Sequence, residues 1–547
     1  AIPVGDGIND LVVQTQNGQA TLDLQQPGFT PDGTISWHTH SVDPSVLSGT
    51  DRSAWNIAAN HNGLIGTAGS PAYLQYTVLS NSTPSYPKES PAFYIAQGSA
   101  QQITFLAEGV NGVPLNNWQM TVAVPSQFEV LGSSGLYAYS VSGKPKFTTT
   151  SIGTTTINGT AMKLYRVTAD HSIVYTANQS TDLTGFEVLF RFPTSATLDT
   201  SKLYNFYYWT SANGGTVSEA PQTIAVRTLS ALTGMQPTKF VWELWTGNAR
   251  SPQYDNSTLL LNILDTAKQA GFNRYQSSDD ASFNSTLNSY GLDPFLTINF
   301  ADGRTFDITK PYLAAHPTDG LVDKNGVRSD KYMCTTQLLG ANWSMFQQSI
   351  KSVAQNSGAS DIEYDYENDP FSSPHACFDS RCLAAFRTFA HISSSVTLTP
   401  AKVQSTYASQ WNDFMASRAA TLLKKMKDAV HSGKSTTHFV AYSGYQSSYT
   451  KTHYGIDWNL IGQNQSVDEA AMGYGRSATS IADSKSALGA IPVTFGELLS
   501  PYSKHSIDPV PPLLRSTMLR RALDATAGVL IYMRPSMDGR SWKAVAD

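Results

Sequence analysis

Over about the first 230 residues, apolar positions recur at every second place in short runs. "LVVQTQ", "ATLDLQ", "YLQYTVL", "QQITFLAEG", "WQMTVAVP", "FEVLFRFP", "YNFYYWTS" and "QTIAVRTL" are rich in β-branched and aromatic residues, and Gly, Pro, Asn and Ser separate them. Long amphipathic helices are absent from this pattern. It predicts β-sandwich material: a β-rich, sandwich-like region over 1–90 and an immunoglobulin-like β-sandwich over 91–235. The segment "NSTPSYPKESP" (81–91) marks the break between them.

After 236 the rhythm changes. "KFVWELW" (239–245) reads as a strand and "STLLLNILDTAKQAG" as a helix. "NRYQSS", "PFLTINF", "DIEYDYE", "HFVAYSGY", "EAAMGYG", "IPVTFGELL" and "VLIYMRP" follow as strands, with helical stretches such as "NWSMFQQSIKSVAQNSG" and "WNDFMASRAATLLKKMKDAVHSG" between them. Eight strands alternating with helices over about 310 residues predict a (β/α)8 TIM barrel at 236–547. The expected fold class is therefore multidomain, an N-terminal all-β sandwich region followed by a C-terminal TIM barrel. The length of 547 residues agrees, being too great for one ordinary core. No internal repeat is visible.

One strand departs from the apolar pattern. "SDIEYDYENDP" (360–370) places Asp361, Glu363, Asp365 and Glu367 at every second residue, with Ile362, Tyr364 and Tyr366 between them. Residues two apart share a strand face. In a barrel the apolar set suits the helix layer, so the acids line the interior and rise toward its C-terminal mouth, where barrel active sites lie. Close carboxylates raise one another's pKa, so at least one is expected to keep a proton. A neutral carboxylic acid beside an ionised one is what glycosidic bond cleavage requires. Glu367, nearest the strand's end, is the expected proton donor. The plainer alternative is that the acids pair with a barrel cation, Arg274 being one available. A third reading, a carboxylate-bound metal, lacks a D-x-D-x-D-G loop or a histidine cluster to support it.

Composition adjusts this picture. Lys and Arg number 37 against 42 Asp and Glu, a net charge of −5, which offers no basic surplus for nucleic acid. Charged residues are 14% and aromatics 11%, a balance common in secreted proteins that handle carbohydrate. No run of 18 apolar residues occurs, so no membrane span is expected. The opening "AIPVGDG" fits a removed leader or a trimmed chain, and the expected location is secreted or extracellular. Cys334, Cys377 and Cys382 are disulfide candidates, Cys377 with Cys382 or either with Cys334. Their scattered spacing is unlike a zinc site. Sequons at Asn81, Asn158, Asn178, Asn256, Asn284, Asn342 and Asn464 are about what chance supplies in so Asn- and Ser-rich a chain.

The acidic strand resembles the fourth-strand signature of family 18 glycoside hydrolases, the chitinase-like enzymes, usually D-G-x-D-x-D-x-E. By that resemblance Glu367 matches the general acid and Asp365 the residue that holds a substrate N-acetyl group. Glu363 and Ser360 stand where Asp is usual. "AAMGYG" resembles that family's sixth-strand "M-x-Y-D", which places Tyr474 at its Tyr and Gly475 at its Asp. "GVLIYMRPSMDG" resembles the eighth strand, with Tyr532 where Trp is typical. A second likeness competes. Acids ending strands four and seven resemble the large retaining glycosidase clan of TIM barrels. That likeness makes Glu367 the acid/base and Glu497, at the end of "IPVTFGELL", the nucleophile. Tyr366 replaces the Asn usual before the fourth-strand Glu.

Other candidates are aromatic or polar residues at or beyond strand ends: Trp242, Trp245, Tyr445, Trp458 and Tyr532 for stacking on sugar faces, Asp302 for hydroxyls, and Arg534 and Asp538 for hydroxyls or for each other. Each aromatic alone is more often core than ligand contact. The "WHTHS" stretch (37–41) is read as structural. The expectation is a secreted glycoside hydrolase acting on a poly- or oligosaccharide, with no cofactor, no metal, no nucleic-acid partner and an undetermined oligomeric state. The rival class is a non-catalytic carbohydrate-binding or surface protein on a degenerate barrel.

Overall fold

The structure, a computed structural model, describes residues 64–65, 74–79, 92–109, 116–137, 145–172, 184–212, 217–218, 221–235, 237–243, 256–298, 309–366, 377–473, 478–498, 526–532, 534 and 537–547. The first β-rich part forms two sheets. One has five strands in the order Leu64–Ile65, Leu74–Leu79, Ala100–Gly109, Thr184–Arg191, Glu129–Tyr137. The other runs Phe93–Ala96, Gln222–Leu229, Tyr204–Ala212, Gln119–Pro125, Thr160–Ala169, Phe147–Ile157, with Val217–Ser218 paired to Tyr204–Ala212. The strand Leu74–Leu79, on the far side of the expected break at 81–91, pairs antiparallel with residues 104–109 in the same sheet.

The alternation read from the sequence has a direct packing consequence. Phe105 and Phe186 from the five-stranded sheet stack at 5.2 Å, and Trp118 meets Phe186 and Phe147 edge-on. Trp118, Phe128, Phe190 and Phe206 are buried in the same cluster. Aromatic pairs in these geometries add specific attraction to the area they bury.

Eight strands form a closed barrel: β1 (Phe240–Glu243), β2 (Arg274–Ser277), β3 (Asp293–Ile298), β4 (Asp361–Asp365), β5 (His438–Ser443), β6 (Glu469–Met472), β7 (Val493–Leu498) and β8 (Gly528–Tyr532). The pairings from β2 through β7 are parallel wherever their register is described. Among the described residues, helices lie in the connections from β1 through β7. Trp343–Asn356 precedes β4, and the long helix Ala408–Gly433 precedes β5. By contacts the chain divides into two compact units. One takes the residues through Asn273 with Leu498–Arg521 and Ile531–Asp547, the other Arg274–Glu497 with Ala522–Leu530.

In the second unit a short hairpin, Gly320–Val322 with Arg328–Met333, leads into Cys334. Cys377 and Cys382 are joined by a disulfide with Cα atoms 5.9 Å apart, and Cys334 lies buried beside it as a free thiol. Among the described residues no helix is long and apolar enough to cross a membrane.

Candidate active site

The acidic strand divides its side chains between two environments. Ile362, Tyr364 and Tyr366 are buried in one apolar cluster with Phe439 of β5 and with Phe346, Met415 and Leu422 of the helices. Asp361 and Glu363 are 2% and 1% exposed, and Asp365, at the strand's end, is half-buried. Their partners come from other strands of the barrel: Arg274 of β2 and His438 of β5 for Asp361, Thr297 of β3 for Glu363.

The lowest acid is neutralised. Arg274 opens β2 and is almost wholly buried. Its Nη1 and Nη2 donate to the two oxygens of Glu469 at 3.0 and 2.9 Å, and Nη2 also reaches Asp361 Oδ1 at 3.1 Å. Burial alone would loosen the guanidinium proton, but Glu469 and Asp361 outweigh it and hold the charge in place. Glu469 also accepts from Thr494 Oγ1 of β7. His438 Nδ1 lies 3.3 Å from Asp361 Oδ1, and that contact raises the imidazole pKa. A buried fork-on-carboxylate pair of this kind holds geometry more than it adds net stability.

Two residues further along, the situation reverses. Glu363 Oε1 accepts from Thr297 Oγ1 at 3.3 Å, while Oε2 has no hydrogen-bond partner among the described residues. Burial first, then the charge of Asp365, pushes the Glu363 carboxyl well above the usual range. The pull of Arg274 in the other direction is smaller. Glu363 therefore stays protonated where an exposed carboxyl has ionised. Asp365 follows, in register with Tyr442 of β5. The chain thus carries, on one strand, a cation-paired acid, a neutral acid and a half-exposed acid in ascending order.

Glu367, Trp245, Tyr474 and Asp302 lie outside the described residues, as do His38 and His40 of "WHTHS". Glu497 falls within β7 and Tyr532 within β8, but their side chains lie outside the description, and so does that of Trp242. Tyr445 is half-buried two residues past β5 and packs against the apolar cluster. Trp458 is fully buried and donates Nε1–H to the Gly444 carbonyl at 2.7 Å, so it is core.

Arg534 needs a correction. It is fully buried, with Nη2 3.1 Å from Glu187 Oε1, and its carbonyl accepts from Gln102 Nε2 at 2.6 Å. A guanidinium with no exposed surface, spent on an internal carboxylate, is not available to a sugar. Asp538 caps the final helix, Gly539–Ala546, and pairs with Arg540 at 2.7 Å. Sequence reasoning missed Glu469. Its signal is an acid, preceded by Asp468, at the head of the apolar run "AAM".

No protein-family model matches the chain, and no curated protein sequence matches it. Solved structures do. A β-galactosidase from the psychrophilic Marinomonas ef1 aligns with a TM-score of 0.42 at 10% identity, over 56% of this chain and 58% of that one. A catalytic mutant of Gan42B, a GH42 β-galactosidase from G. stearothermophilus, gives 0.39 at 12%, over 57% and 56%. A chitinase from Chromobacterium violaceum gives 0.32 at 11%, over 56% of this chain and 98% of that one. The chain spans just under three-fifths of the length of the two β-galactosidases.

Proposed function

We propose that the chain is a secreted glycoside hydrolase that cleaves glycosidic bonds of a poly- or oligosaccharide by carboxylate acid/base chemistry. The observation that supports this reading is the pair on β4. Glu363 is buried and proton-holding, and Asp365 stands half-exposed two residues beyond it. A barrel interior that keeps one carboxyl neutral beside another has the electrostatics such chemistry uses. Glu367 continues the same spacing in the sequence and is assigned as proton donor. Glu497, in β7, is assigned as the nucleophile of a retaining reaction. Asp365 is then the residue that sets the charge beneath the donor.

The test is Glu367→Gln, which keeps size and removes the transferable proton. A fall in kcat of about 10²–10⁴-fold is expected on whichever polysaccharide of a panel the enzyme turns over. Activity within about threefold of the parent would remove Glu367 from the role. Glu497→Ala with azide should yield a glycosyl azide of inverted configuration. Absence of rescue, with severe loss in Asp365→Ala and a strict need for an N-acetyl group, selects substrate-assisted cleavage instead. Binding to a polysaccharide without turnover of any member of the panel would leave the chain a non-catalytic binding protein.

A further inference from the structure

Away from the barrel axis, four donor atoms gather in one buried spot. The Sγ atoms of Cys334, Cys377 and Cys382 and a carboxylate oxygen of Asp379 all lie within 4.8 Å of one another. All four residues are buried. They come from separate pieces of chain: Cys334 caps the helix Thr335–Leu339, Cys377 precedes the helix Ser380–Phe389, and Asp379 and Cys382 form that helix's first turn. Cys334 Sγ is 3.5 Å from Cys382 Sγ. That spacing is close to what two thiolates at about 2.3 Å from one tetrahedral ion would show.

A disulfide between Cys377 and Cys382 needs neither Cys334 nor Asp379. It also leaves the surrounding charge unexplained. Arg418 is mostly enclosed and donates to the hydroxyls of Thr335 and Thr336 at 3.1 Å each. Those two hydroxyls sit 3.4 Å from Cys382 Sγ. Among the described residues Arg418 has no carboxylate in salt-bridge contact, and burial lowers its pKa to about 10. Arg381 pairs with Asp379 and with Asp319, each at 2.9 Å.

We propose that these residues form a redox-gated site for a divalent zinc-like cation, held by Cys334, Cys377, Cys382 and Asp379 when the disulfide is open. A dithiol reductant supplies two electrons and two protons. The Cys377–Cys382 bond breaks, and each sulfur leaves as a thiol. The cation then displaces the protons of three thiols to solvent and binds three thiolates and one carboxylate. Four negative ligands around a dication leave a net charge of −2, which Arg418 and Arg381 offset in part, Arg381 being shared with Asp319. A buried cluster of that charge without two adjacent cations would be costly. Asp379 need not surrender its helix cap, because the oxygen that accepts from Cys382 N–H at 2.8 Å has a second lone pair.

The test titrates Co²⁺ into the full chain, once as isolated under air and once after dithiol reduction with the reductant removed anaerobically. The reduced protein should take up one Co²⁺ per chain, with a thiolate-to-cobalt charge-transfer band and the visible bands of a tetrahedral site. Zn²⁺ should bleach them. The oxidised protein should show neither. Cys334→Ser keeps a good helix-capping residue, so the fold should hold, while Co²⁺ affinity in the reduced state drops at least about tenfold. The proposal is overturned by a reduced, folded protein without thiolate–cobalt bands. Full affinity in Cys334→Ser overturns it too, as does circular dichroism showing that reduction alone unfolds the chain.

Discussion

Arg274 holds two carboxylates at once, Asp361 and Glu469, inside a wall that excludes water. Removing the cation leaves both acids buried without their neutraliser. Arg274→Met should therefore destabilise by about 3–5 kcal/mol in urea unfolding, and adding Glu469→Gln should recover part of the loss. Equal stability of Arg274→Met and the parent would show that water reaches this end of the barrel. Glu363 makes a different prediction, through pH. Its folded-state pKa is raised, so the folded chain holds the proton more tightly than the unfolded one does. That contribution is fully present below the ordinary Glu pKa near 4.5 and is lost as pH rises through the higher folded value. Over that window stability should fall by about 1 kcal/mol per pH unit, and Glu363→Gln should flatten the fall. An unchanged slope in Glu363→Gln, measured by denaturation at a series of pH values, would assign the decline to another group. At this scale the sequence was legible in part. The period of two in "DIEYDYE" reads off which face each residue takes. Which acid meets Arg274 and which stays neutral depends on Glu469, more than a hundred residues away, and local pattern carries no such pairing.

Two helices of the second unit approach each other through a glycine. A Cβ on Gly433, the last residue of the helix Ala408–Gly433, would lie 2.5 Å from the Lys351 carbonyl and 2.9 Å from Ala354 Cβ on the helix Trp343–Asn356. Backbone cannot yield there as a flexible side chain would. Gly433→Ala should cost about 1–3 kcal/mol by overpacking, although alanine is the better helix former. A stabilised Gly433→Ala in thermal melts would mean the helices part easily. Both helices were readable from the 3.6-residue spacing of "WSMFQQSI" and "MASRAATLLKKM". The contact was not, since a terminal Gly reads equally well as an ordinary stop signal. Trp458 carries a similar lesson. From the sequence it is an aromatic at or beyond a strand end, a candidate for a sugar though more often core. Its place was decided by one long-range partner, the Gly444 carbonyl.

On the scale of the whole chain, alternation of strand and helix after 236 made the barrel order legible, because each strand must be buried on both faces and each helix on one. Less legible was where the chain's last residues belong. Ile531–Asp547 fall in the same compact unit as the two early sheets. Gln102 donates to the carbonyls of Arg534 and Met537, and Glu187 on the strand Thr184–Arg191 has Arg534 as its cation. Gly539 is so close to Tyr94 that a Cβ would lie 2.8 Å from its carbonyl oxygen. Biosynthesis runs from the N-terminus, so the strands Ala100–Gly109 and Thr184–Arg191 are translated before Arg534. Until then Glu187 lacks its cation, and the five-stranded sheet cannot close fully over it. The unit is therefore expected to reach its protected state only once the segment that carries Arg534 has been made. A chain stopped after Tyr532 should leave the amides of residues 100–109 and 184–191 exchanging with solvent faster than in the full protein. Unchanged protection there would mean that the sheets mature without the C-terminal segment.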